Sequence, residues 1–522
     1  MRIKMHLFSL LQKTAVIYPD NYAVIHHDKK ISYHNLAESA VKLADYLEQT
    51  RLEKSARIAI LFENSIEYII SYFAILQADY VVVPLDTSLT TKDIINIIND
   101  CQPVILMLQE SCHINYAEVV KSCPSLKLII SDNDLPSISK SIKVETLKNI
   151  LQNSNANLEE VNPSKLTFKK DKNHPHQLAA IFYTSGSTGM PRGVMLSHLN
   201  LISNTLATVE YLKLRPEDSV IVILPFYYIY GNSLLLTHVA VGGTLVIDNR
   251  FTYPEIILDT MEKENVTGFS GVPSNFMILM HKSTFTSRKF KHLRYFTQAG
   301  GPMAPEVIKR LIGAFPDKEI YIMYGQTEAS PRISYLPPNR LNEKIGSVGI
   351  PVPRVKISIV NNHDKEVGSG KIGEIVVIGD NVMMGYWGKP KEQEKVIKNG
   401  RLYTEDLARK DEDGFIYIVG RKKEIIKTGG SRVSAKEVEE CLLEHHKVTE
   451  AAAFGIKNDI LCEAIKAAVV LKEGAKTTEK ELQTFCRRKL AVYKVPQIIE
   501  FFDSLPKYKS GKINKLALKE RT

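Results

Sequence analysis

Helical and strand-like patterns alternate along the first half of the chain, and this alternation limits the folds that the chain can adopt. The segment HNLAESAVKLADYLEQT repeats apolar residues at helical spacing, whereas RIAILF is a short apolar run of the kind that forms a strand. The next pair, SIEYIISYFAILQA and YVVVPLD, has the same order. The rhythm returns at SVIVILP, GTLVID, VTGFSG, HLRYFTQAGG and KEIYIMYG. It predicts an α/β fold of parallel sheets that helices cover on both faces.

The length and the change of texture along the chain predict more than one domain. A chain of 522 residues is too long for one compact core, so about two to four domains or lobes are expected. After about Gly346 the sequence turns to short strands separated by Gly and Pro, which predicts a β-rich lobe. From about Arg421 it is rich in lysine and in helical patterns. We therefore predict a boundary near Gly420, with domains of residues 1–420 and 421–522.

Charge and cysteine usage narrow the classes of partner. The net charge of +10 is compatible with nucleic acid, an anionic membrane surface or anionic small substrates. Basic residues are interspersed with acidic ones over most of the chain, which disfavours nucleic acid. The six cysteines contain no C-x-x-C pair or paired His spacing, so neither a zinc site nor a disulfide framework is indicated. A cytoplasmic location is expected.

One uncharged stretch, from Ser219 to Ile247, is longer than the roughly 20 residues that span a bilayer. Pro225, Gly231-Asn232 and Gly242-Gly243 interrupt it. These breaks predict strand, turn, helix, turn and strand in a buried α/β core, and no membrane span.

The loop YTSGSTGMPRGVMLSH, residues 183–198, concentrates glycines and hydroxyl residues after an apolar run. Glycines let backbone N–H groups converge on an anion, and Ser and Thr hydroxyls add donors, so a phosphate cradle is one interpretation. An ordinary Gly/Ser turn is the other. The loop does not fit the Walker pattern, because Met190 follows Gly189 where that pattern requires lysine.

Four further stretches occur after this loop: YGQTEAS (324–330), YTEDLA (403–408), GFIYIVGRKKEIIKTGGSRVSAKEVE (414–439) and LPKYKSGKINK (505–515). In this order and at these separations the five blocks resemble the adenylate-forming superfamily of acyl-CoA synthetases, aryl-CoA ligases, luciferases and peptide-synthetase adenylation domains. The resemblance implies a large N-terminal domain of two sheet-based subdomains and a β-barrel, with a small mobile α+β C-terminal domain. It also implies activation of a carboxylate by ATP to acyl-AMP and transfer of the acyl group to a thiol.

The resemblance assigns roles in nucleotide binding to residues of this chain. Those expected at the β- and γ-phosphates are Thr184, Ser185, Gly186, Ser187, Thr188, Gly189 and Arg192, the last in place of the usual lysine. Those expected at adenine are Gly300, Gly301, Pro302 and Tyr324. Thr327 would reach the α-phosphate, and Glu328 would hold Mg²⁺, which prefers oxygen ligands. Asp406 and Arg421 would bind the ribose, although the usual glycine before the aspartate is Glu405 here.

Three lysines of the C-terminal part receive roles from the same resemblance. Lys423 stands at the hinge, Lys427 on the face that forms the thioester, and Lys512 is the lysine carried into the active site for adenylation. Without the resemblance each would be interpreted as a solvated charge.

The acid pocket is expected to include Tyr228, Tyr230, Phe276 and Gln326. Tyr228 replaces a frequent histidine, and the segment has no F-D-x-S for an α-ammonium group, which disfavours an amino acid substrate. Apolar residues favour a fatty or aromatic acyl chain, with core packing as their alternative role: Phe226, Ile229, Phe276, Ile278 and Leu279.

The sequence therefore predicts an acyl-CoA synthetase that uses ATP, Mg²⁺ and CoA. One alternative acceptor is the phosphopantetheine of an acyl carrier protein. A catalytically silent nucleotide-binding sensor or scaffold is the alternative of a different class.

Overall fold

The computed structural model describes residues 5–135, 142–154, 156, 174–184, 191–428, 431–458, 460–507 and 513–521. The first part of the chain forms α1 (Phe8–Ile17), β1 (Tyr22–His26), β2 (Lys29–Ser32), α2 (Tyr33–Gln49), β3 (Arg57–Leu61), α3 (Ile66–Gln77), β4 (Val81–Pro84), α4 (Thr91–Cys101), β5 (Ile105–Leu108), α5 (Tyr116–Ser122), β6 (Leu128–Ser131), β7 (Lys143–Thr146) and α6 (Leu147–Asn153). The predicted alternation of helix and strand is confirmed here.

The middle of the chain continues the alternation. It forms β8 (Leu178–Thr184), β9 (Arg192–Ser197), α7 (His198–Leu212), β10 (Ser219–Val222), α8 (Ile229–Val241), β11 (Thr244–Ile247), α9 (Pro254–Lys263), β12 (Gly268–Gly271), α10 (Pro273–Lys282), β13 (Tyr295–Gln298), α11 (Pro305–Ala314), β14 (Glu319–Gly325), β15 (Arg332–Leu336) and β16 (Ile350–Pro351).

These strands build two large mixed sheets. The eight-stranded sheet has the order β19-β9-β8-β4-β3-β5-β6-β7, where β19 is Gly385–Tyr386, and it is parallel from β8 to β7. The nine-stranded sheet has the order β16-β15-β14-β13-β12-β10-β11-β1-β2 and is parallel from β14 to β1. The antiparallel strands lie at the edges, and β9 and β19, at one edge of the eight-stranded sheet, contribute residues to the site described below.

Both sheets share one hydrophobic core with the helices between them, which include α1, α2, α3, α7 and α8. The period-two alternation of a strand divides its residues between layers. In β10, Val220 and Val222 face this central core, whereas Ile221 faces a second core with α9, α10 and α11. A third core covers the outer face of the eight-stranded sheet with α4 and α5. The α/β fold with helices on both faces is thereby confirmed.

The uncharged stretch from Ser219 to Ile247 is β10, α8 and β11, as predicted. Gly231 does not form a turn, however, but lies inside α8. A Cβ atom there would stand 2.0 Å from the carbonyl oxygen of Pro225, so glycine permits a close approach of helix and preceding loop. Among the described helices, none combines the length and apolar character that a bilayer span requires.

The β-rich lobe contains β17 (Lys356–Val360), β18 (Gly373–Ile378), α12 (Pro390–Val396), β20 (Ile397–Lys398), β21 (Arg401–Lys410) and β22 (Ile416–Arg421). Its strands pair in the order β17-β18-β21-β20, and β22 also pairs with β21. Over the described residues these pairings give a five-stranded antiparallel sheet, and the distinct barrel that the family resemblance implied is not evident.

The last part of the chain forms β23 (Ile425–Thr428), β24 (Ser431–Ser434), α13 (Ala435–Leu443), β25 (Val448–Asn458), β26 (Cys462–Leu471), α14 (Glu479–Arg487), β27 (Ile498–Phe502) and α15 (Lys515–Lys519). Its five-stranded sheet packs with α13 and α14 around a core drawn from residues after 425. A small α+β domain is therefore present, while the boundary at residue 420 stays a prediction.

Candidate active site

A cleft of about 710 Å³ lies where the two large sheets, the β-rich lobe and the C-terminal domain meet. Strand β8 ends in it at Thr184 and β14 ends in it at Gly325, in keeping with ligand binding at the carboxyl ends of strands in α/β sheets. The predicted site residues that line it are Thr184, Arg192, Tyr228, Gln326, Thr327, Glu328, Arg421 and Lys423.

Asp406 holds together the part of the site predicted to bind ribose. Its carboxylate is 2% exposed and accepts a hydrogen bond from the Tyr324 hydroxyl at 2.6 Å and one from Arg421 Nε at 2.8 Å. Asp406 and Arg421 are direct partners across β21 and β22, so the sheet register brings them together. Burial and the Asp406 charge raise the pKa of Tyr324 far above its usual value, so Tyr324 remains a neutral donor.

Glu405 occupies the position where the resemblance leads one to expect glycine. The backbone conformation at this position is one that favours glycine. Its φ is 61°, in the left-handed region that glycine adopts without penalty. Its N–H donates to Glu374 at 3.1 Å, and its carboxylate pairs with Lys423 Nζ at 3.0 Å. The predicted hinge lysine is thus tied to the N-terminal part of the chain through this side chain.

Glu328 lies in a short 3₁₀ turn, Thr327–Ala329, directly after β14. Its carboxylate accepts a hydrogen bond from the Tyr386 hydroxyl at 2.8 Å, and its carbonyl accepts one from the Met383 N–H. Burial and the charge of Glu328 raise the pKa of Tyr386, which keeps this donor protonated. Tyr386 belongs to β19 of the eight-stranded sheet, whereas Glu328 follows β14 of the nine-stranded sheet. The Glu328 side chain is therefore oriented at the cleft wall by a contact between the two sheets.

The donor set around Glu328 fits a phosphate-bound Mg²⁺. The described residues contain no group of three or more His, Cys, Asp or Glu that could hold a metal ion by themselves. Mg²⁺ in nucleotide sites uses one or two carboxylates and takes its other ligands from phosphate and water, so one oriented carboxylate is sufficient.

Arg192 begins β9, opposite Thr184 in the β8–β9 pair. Its guanidinium carbon lies 5.0 Å from the centre of the Tyr386 ring, and its Nη1 is 3.5 Å from Glu392. Its Nε is buried and finds no acceptor among the described residues, which suits contact with an anion. The predicted cradle residues Ser185, Gly186, Ser187, Thr188 and Gly189 lie outside the described part of the chain.

Glycines at the predicted nucleotide site, and Gly325 beside it in sequence, differ in what their positions require. A Cβ at Gly325 would stand 1.7 Å from the Pro331 carbonyl oxygen, so only glycine fits there. Gly300 has a φ of 87°, whereas a Cβ at Gly301 would make ordinary contacts. Strand β13 is followed by Gly300, Gly301 and Pro302, and its parallel neighbour β14 leads to the cleft. None of these three residues is part of the cleft wall.

The four predicted pocket residues divide into two pairs. Tyr228 and Gln326 line the cleft. Tyr230 is 1% exposed and bonds to Thr297, and Phe276 packs 5.3 Å from Phe269 within an aromatic core. Neither of the latter two is part of the cleft wall as described, and their roles in an acyl pocket stay predictions.

The C-terminal lysines also divide. Lys427 is exposed, its N–H donates to Glu463 at 2.6 Å, and it is not part of the wall. Lys512 lies outside the described residues, while the next residue, Ile513, lines the cleft. Lys515 also lines the cleft and pairs with Glu424 at 2.9 Å and Glu439 at 2.8 Å.

Sequence reasoning did not single out Tyr386, Glu374 or Lys515. Tyr386 bonds to a residue 58 positions earlier, and Glu374 pairs with Lys422 48 positions later. No local pattern reports such separations. Only the structure could show these partners.

Comparison with known proteins adds a family to this geometry. The sequence profile of the AMP-binding enzyme matches residues 11–387, and that of the AMP-binding enzyme C-terminal domain matches residues 437–512. The chain belongs to the AMP-binding enzymes. The predicted family is therefore confirmed. The predicted class of enzyme, an AMP-forming acid:CoA ligase, is confirmed with it.

Curated relatives match nearly the whole chain. The long-chain-fatty-acid–CoA ligase of Escherichia coli O157:H7 is 31% identical over 98% of this chain and 94% of its own length. The enzyme of the same name from Bacillus subtilis strain 168 has the same identity and coverage. The mitochondrial medium-chain acyl-CoA ligase ACSF2 of Mus musculus is 29% identical over 98% of this chain and 86% of its own length.

Solved structures agree in fold. The o-succinylbenzoate CoA synthetase MenE of Bacillus subtilis, in complex with its acyl-adenylate intermediate, has a TM-score of 0.83 at 25% identity and covers 98% of this chain and 97% of its own. The anthranilate CoA ligase AuaEII, in complex with anthranoyl-AMP, has a TM-score of 0.87 at 21% identity and covers 100% and 98%.

Proposed function

We propose that this AMP-binding enzyme converts a carboxylic acid to its CoA thioester through an acyl-adenylate. The observation that carries the proposal is a single cleft whose wall includes Arg421, the partner of the buried Asp406, together with Glu328, Tyr386 and Arg192. Asp406 offers a carboxylate for sugar hydroxyls, and Arg192 and Glu328 offer a cation and a metal-binding carboxylate for phosphates. The names of the curated relatives support the same reaction.

In the first half-reaction a carboxylate oxygen of the acid forms a bond to the α-phosphorus of ATP. The bond from that phosphorus to the bridging oxygen breaks, and pyrophosphate leaves with the electron pair. Arg192 and the Thr184 hydroxyl would hold the leaving phosphates, and Thr327 would contact the α-phosphate. Mg²⁺ on Glu328 would neutralise phosphate charge.

In the second half-reaction the sulfur of CoA attacks the acyl carbon. The bond from this carbon to the AMP oxygen breaks, AMP leaves, and the thiol proton passes to solvent. Asp406 and Arg421 would retain the nucleotide through its ribose. We further propose that residues 421–522 rotate about Lys423 between the halves, with Lys512 serving the first and Lys427 the second.

The test is acid-dependent release of pyrophosphate from ATP and Mg²⁺, first alone and then with CoA or a phosphopantetheinylated carrier protein. We expect release with at least one acid of a panel of fatty, aromatic and dicarboxylic acids, and conversion to a CoA thioester. Absence of release with every acid would contradict the proposal. Transfer to the carrier in preference to CoA would instead favour the alternative acceptor.

Asp406→Asn should reduce this activity, and the chain offers a matched control. Asp364 also accepts a hydrogen bond from a tyrosine, Tyr403 at 2.7 Å, and pairs with an arginine, Arg401 at 2.9 Å, but its side chain is half-exposed. Asp364→Asn should leave turnover unchanged. Equal loss in both variants would mean that Asp406 has only a structural role.

A further inference from the structure

Arg332 is a buried arginine for which the described residues provide no carboxylate. It begins β15, is 2% exposed, and forms no ion pair among the described residues. Its Nε is buried without an acceptor in that part of the chain. Its guanidinium carbon lies 4.1 Å from the centre of the Tyr230 ring. The Arg332 side chain also interacts with the neutral Tyr211 hydroxyl. Burial raises the pKa of Tyr211, and the charge and hydrogen bonding of Arg332 oppose that rise.

Hydroxyl groups lie close to this buried arginine and ring. The Tyr230 hydroxyl lies 2.8 Å from Thr297 Oγ1, which lies 2.7 Å from Ser270 Oγ. Ser270 and Thr297 are direct neighbours across the parallel pair β12 and β13, so both side chains project from one face. An arginine and three hydroxyls therefore meet inside an otherwise apolar core.

This cluster adjoins the cleft through two short connections along the chain. Tyr228 and Ile229 line the cleft, and Tyr230 follows them. Gln326 and Thr327 also line the cleft, and the chain passes from them through the turn at Ser330 into Arg332. Two segments of the cleft wall thus lead within a few residues to Tyr230 and Arg332.

Burying an unpaired guanidinium is costly, because the charge loses its hydration and gains no counter-charge. Stacking on Tyr230 offsets part of that cost. A ligand that brought a carboxylate to Arg332 would supply the missing charge, and the planar guanidinium fork is suited to bind it through two hydrogen bonds. The hydroxyls would bind the remaining lone pairs.

We propose that Arg332 and Tyr230 bind a second anionic group of the acid, so that the substrate is a dicarboxylic acid rather than a simple fatty acid. This inference rests on the proposed function. It differs from what the names of the curated relatives suggest, since those relatives are called long-chain and medium-chain ligases.

Acids matched in carbon skeleton test the proposal: hexanoate against adipate, and benzoate against isophthalate. For the wild-type enzyme we expect kcat/KM to be about 10- to 100-fold higher for the dicarboxylate of a pair, the range for a charged hydrogen bond. Arg332→Met should abolish that preference while the KM for ATP stays unchanged. An equal or lower kcat/KM for both dicarboxylates in the wild-type enzyme would overturn the proposal.

Arg340→Met is the matched control. The Arg340 guanidinium also stacks on an aromatic ring, Phe415 at 5.0 Å, but it pairs with Glu343 at 2.8 Å near the surface. This variant should keep the wild-type preference. If Arg332→Met does not fold, Arg332→Lys retains the charge without the fork and should reduce the preference; an unchanged preference in either variant would overturn the role of Arg332.

The same panel separates this inference from the proposed function. Activity with monocarboxylates, without a higher kcat/KM for the dicarboxylates, would be compatible with the proposed function. It would contradict the proposal that the substrate is a dicarboxylic acid. No activity with any acid would reject both.

Discussion

Arg192 is the residue at which the site departs from the usual lysine, and its surroundings suggest that the change is tolerated. The side chain is packed over Tyr386, and its Nε lacks an acceptor among the described residues. A guanidinium keeps the positive charge and offers a planar fork, so contact with phosphate should survive with altered geometry.

We expect Arg192→Ala to raise the KM for ATP about tenfold, because a charged contact to phosphate is lost. Arg192→Lys should stay within about threefold of wild type, because the charge remains. Initial rates against ATP concentration provide the measurement. Arg354→Ala, which removes an exposed guanidinium paired with Glu210 at 2.7 Å, is the control and should change nothing. An unchanged KM in Arg192→Ala would mean that this arginine does not contact ATP.

Glu405 offers a prediction about the backbone alone. Its φ of 61° is costly for a side chain and most costly for a β-branched one. Glu405→Gly and Glu405→Val both remove the carboxylate that pairs with Lys423, so their difference isolates the backbone. We expect the valine variant to be less stable than the glycine variant by about 1–2 kcal/mol in the free energy of unfolding. Equal stability in denaturant titrations would show that another conformation is available here.

At single residues, sequence could predict the chemistry that lies within a motif and could not predict partners from elsewhere. Glu328, Asp406 and Arg421 stand in recognisable blocks, and the structure brings them to one region. Tyr386 and Arg332 lack such a signal. Tyr386 hydrogen-bonds to Glu328, which is far away in sequence, and Arg332 is notable only because it is buried. Burial of an arginine in a strand depends on how sheets and helices assemble.

The element proposed to change conformation between the half-reactions is the 3₁₀ turn Lys422–Glu424, between β22 and β23. Three basic residues in succession face acidic partners here: Arg421 with Asp406, Lys422 with Glu374, and Lys423 with Glu405. They hold this end of the C-terminal domain against the β-rich lobe. Rotation would have to change backbone torsions in the turn and separate some of these pairs.

Lys423→Pro should separate the two half-reactions, because proline confines φ and prevents the turn from changing. Pyrophosphate release should persist, whereas thioester formation from a supplied acyl-adenylate should fall on the order of tenfold. Lys423→Ala removes the same charge without confining the backbone and should retain both. Equal loss of both half-reactions in the proline variant would indicate misfolding instead of a blocked hinge.

The elements themselves were largely predictable, since apolar periodicity reports helices and strands where they are long and buried. Gly231 shows where the pattern misleads, because a glycine that serves close packing looks like one that ends a helix. The barrel was implied by the family resemblance and not by the pattern of the strands. Short strands such as β20, with two residues, carry too little pattern to predict how a sheet closes.

At the scale of the whole molecule, the C-terminal domain completes the cleft. Residues from α15 and from β25 line it together with Thr184 and Gln326. Lys515, in α15, does not supply a free cation, since its ammonium is shared between Glu424 and Glu439 and these carboxylates raise its pKa. Lys512 is the residue of this segment that is predicted to supply the cation for the reacting anions.

Attack of a carboxylate on ATP brings two anions together, and a cation between them lowers the repulsion most where charge accumulates, in the transition state. We therefore expect Lys512→Ala to slow acyl-adenylate formation by roughly 10²–10³. Pyrophosphate release under single-turnover conditions measures this step. The same variant should still convert a supplied acyl-adenylate to thioester, because that step is proposed to use the face that carries Lys427.

Lys507→Ala is the control within the same segment, because Lys507 pairs with Glu450 at 2.5 Å and does not line the cleft. Lys507→Ala should retain both half-reactions. A defect confined to Lys512→Ala would then result from loss of the Lys512 charge and not from general destabilisation of the C-terminal segment. Pyrophosphate release at the wild-type rate in Lys512→Ala would contradict the assignment. The cation would then have to come from the N-terminal part of the cleft, where Arg192 is the candidate already in place.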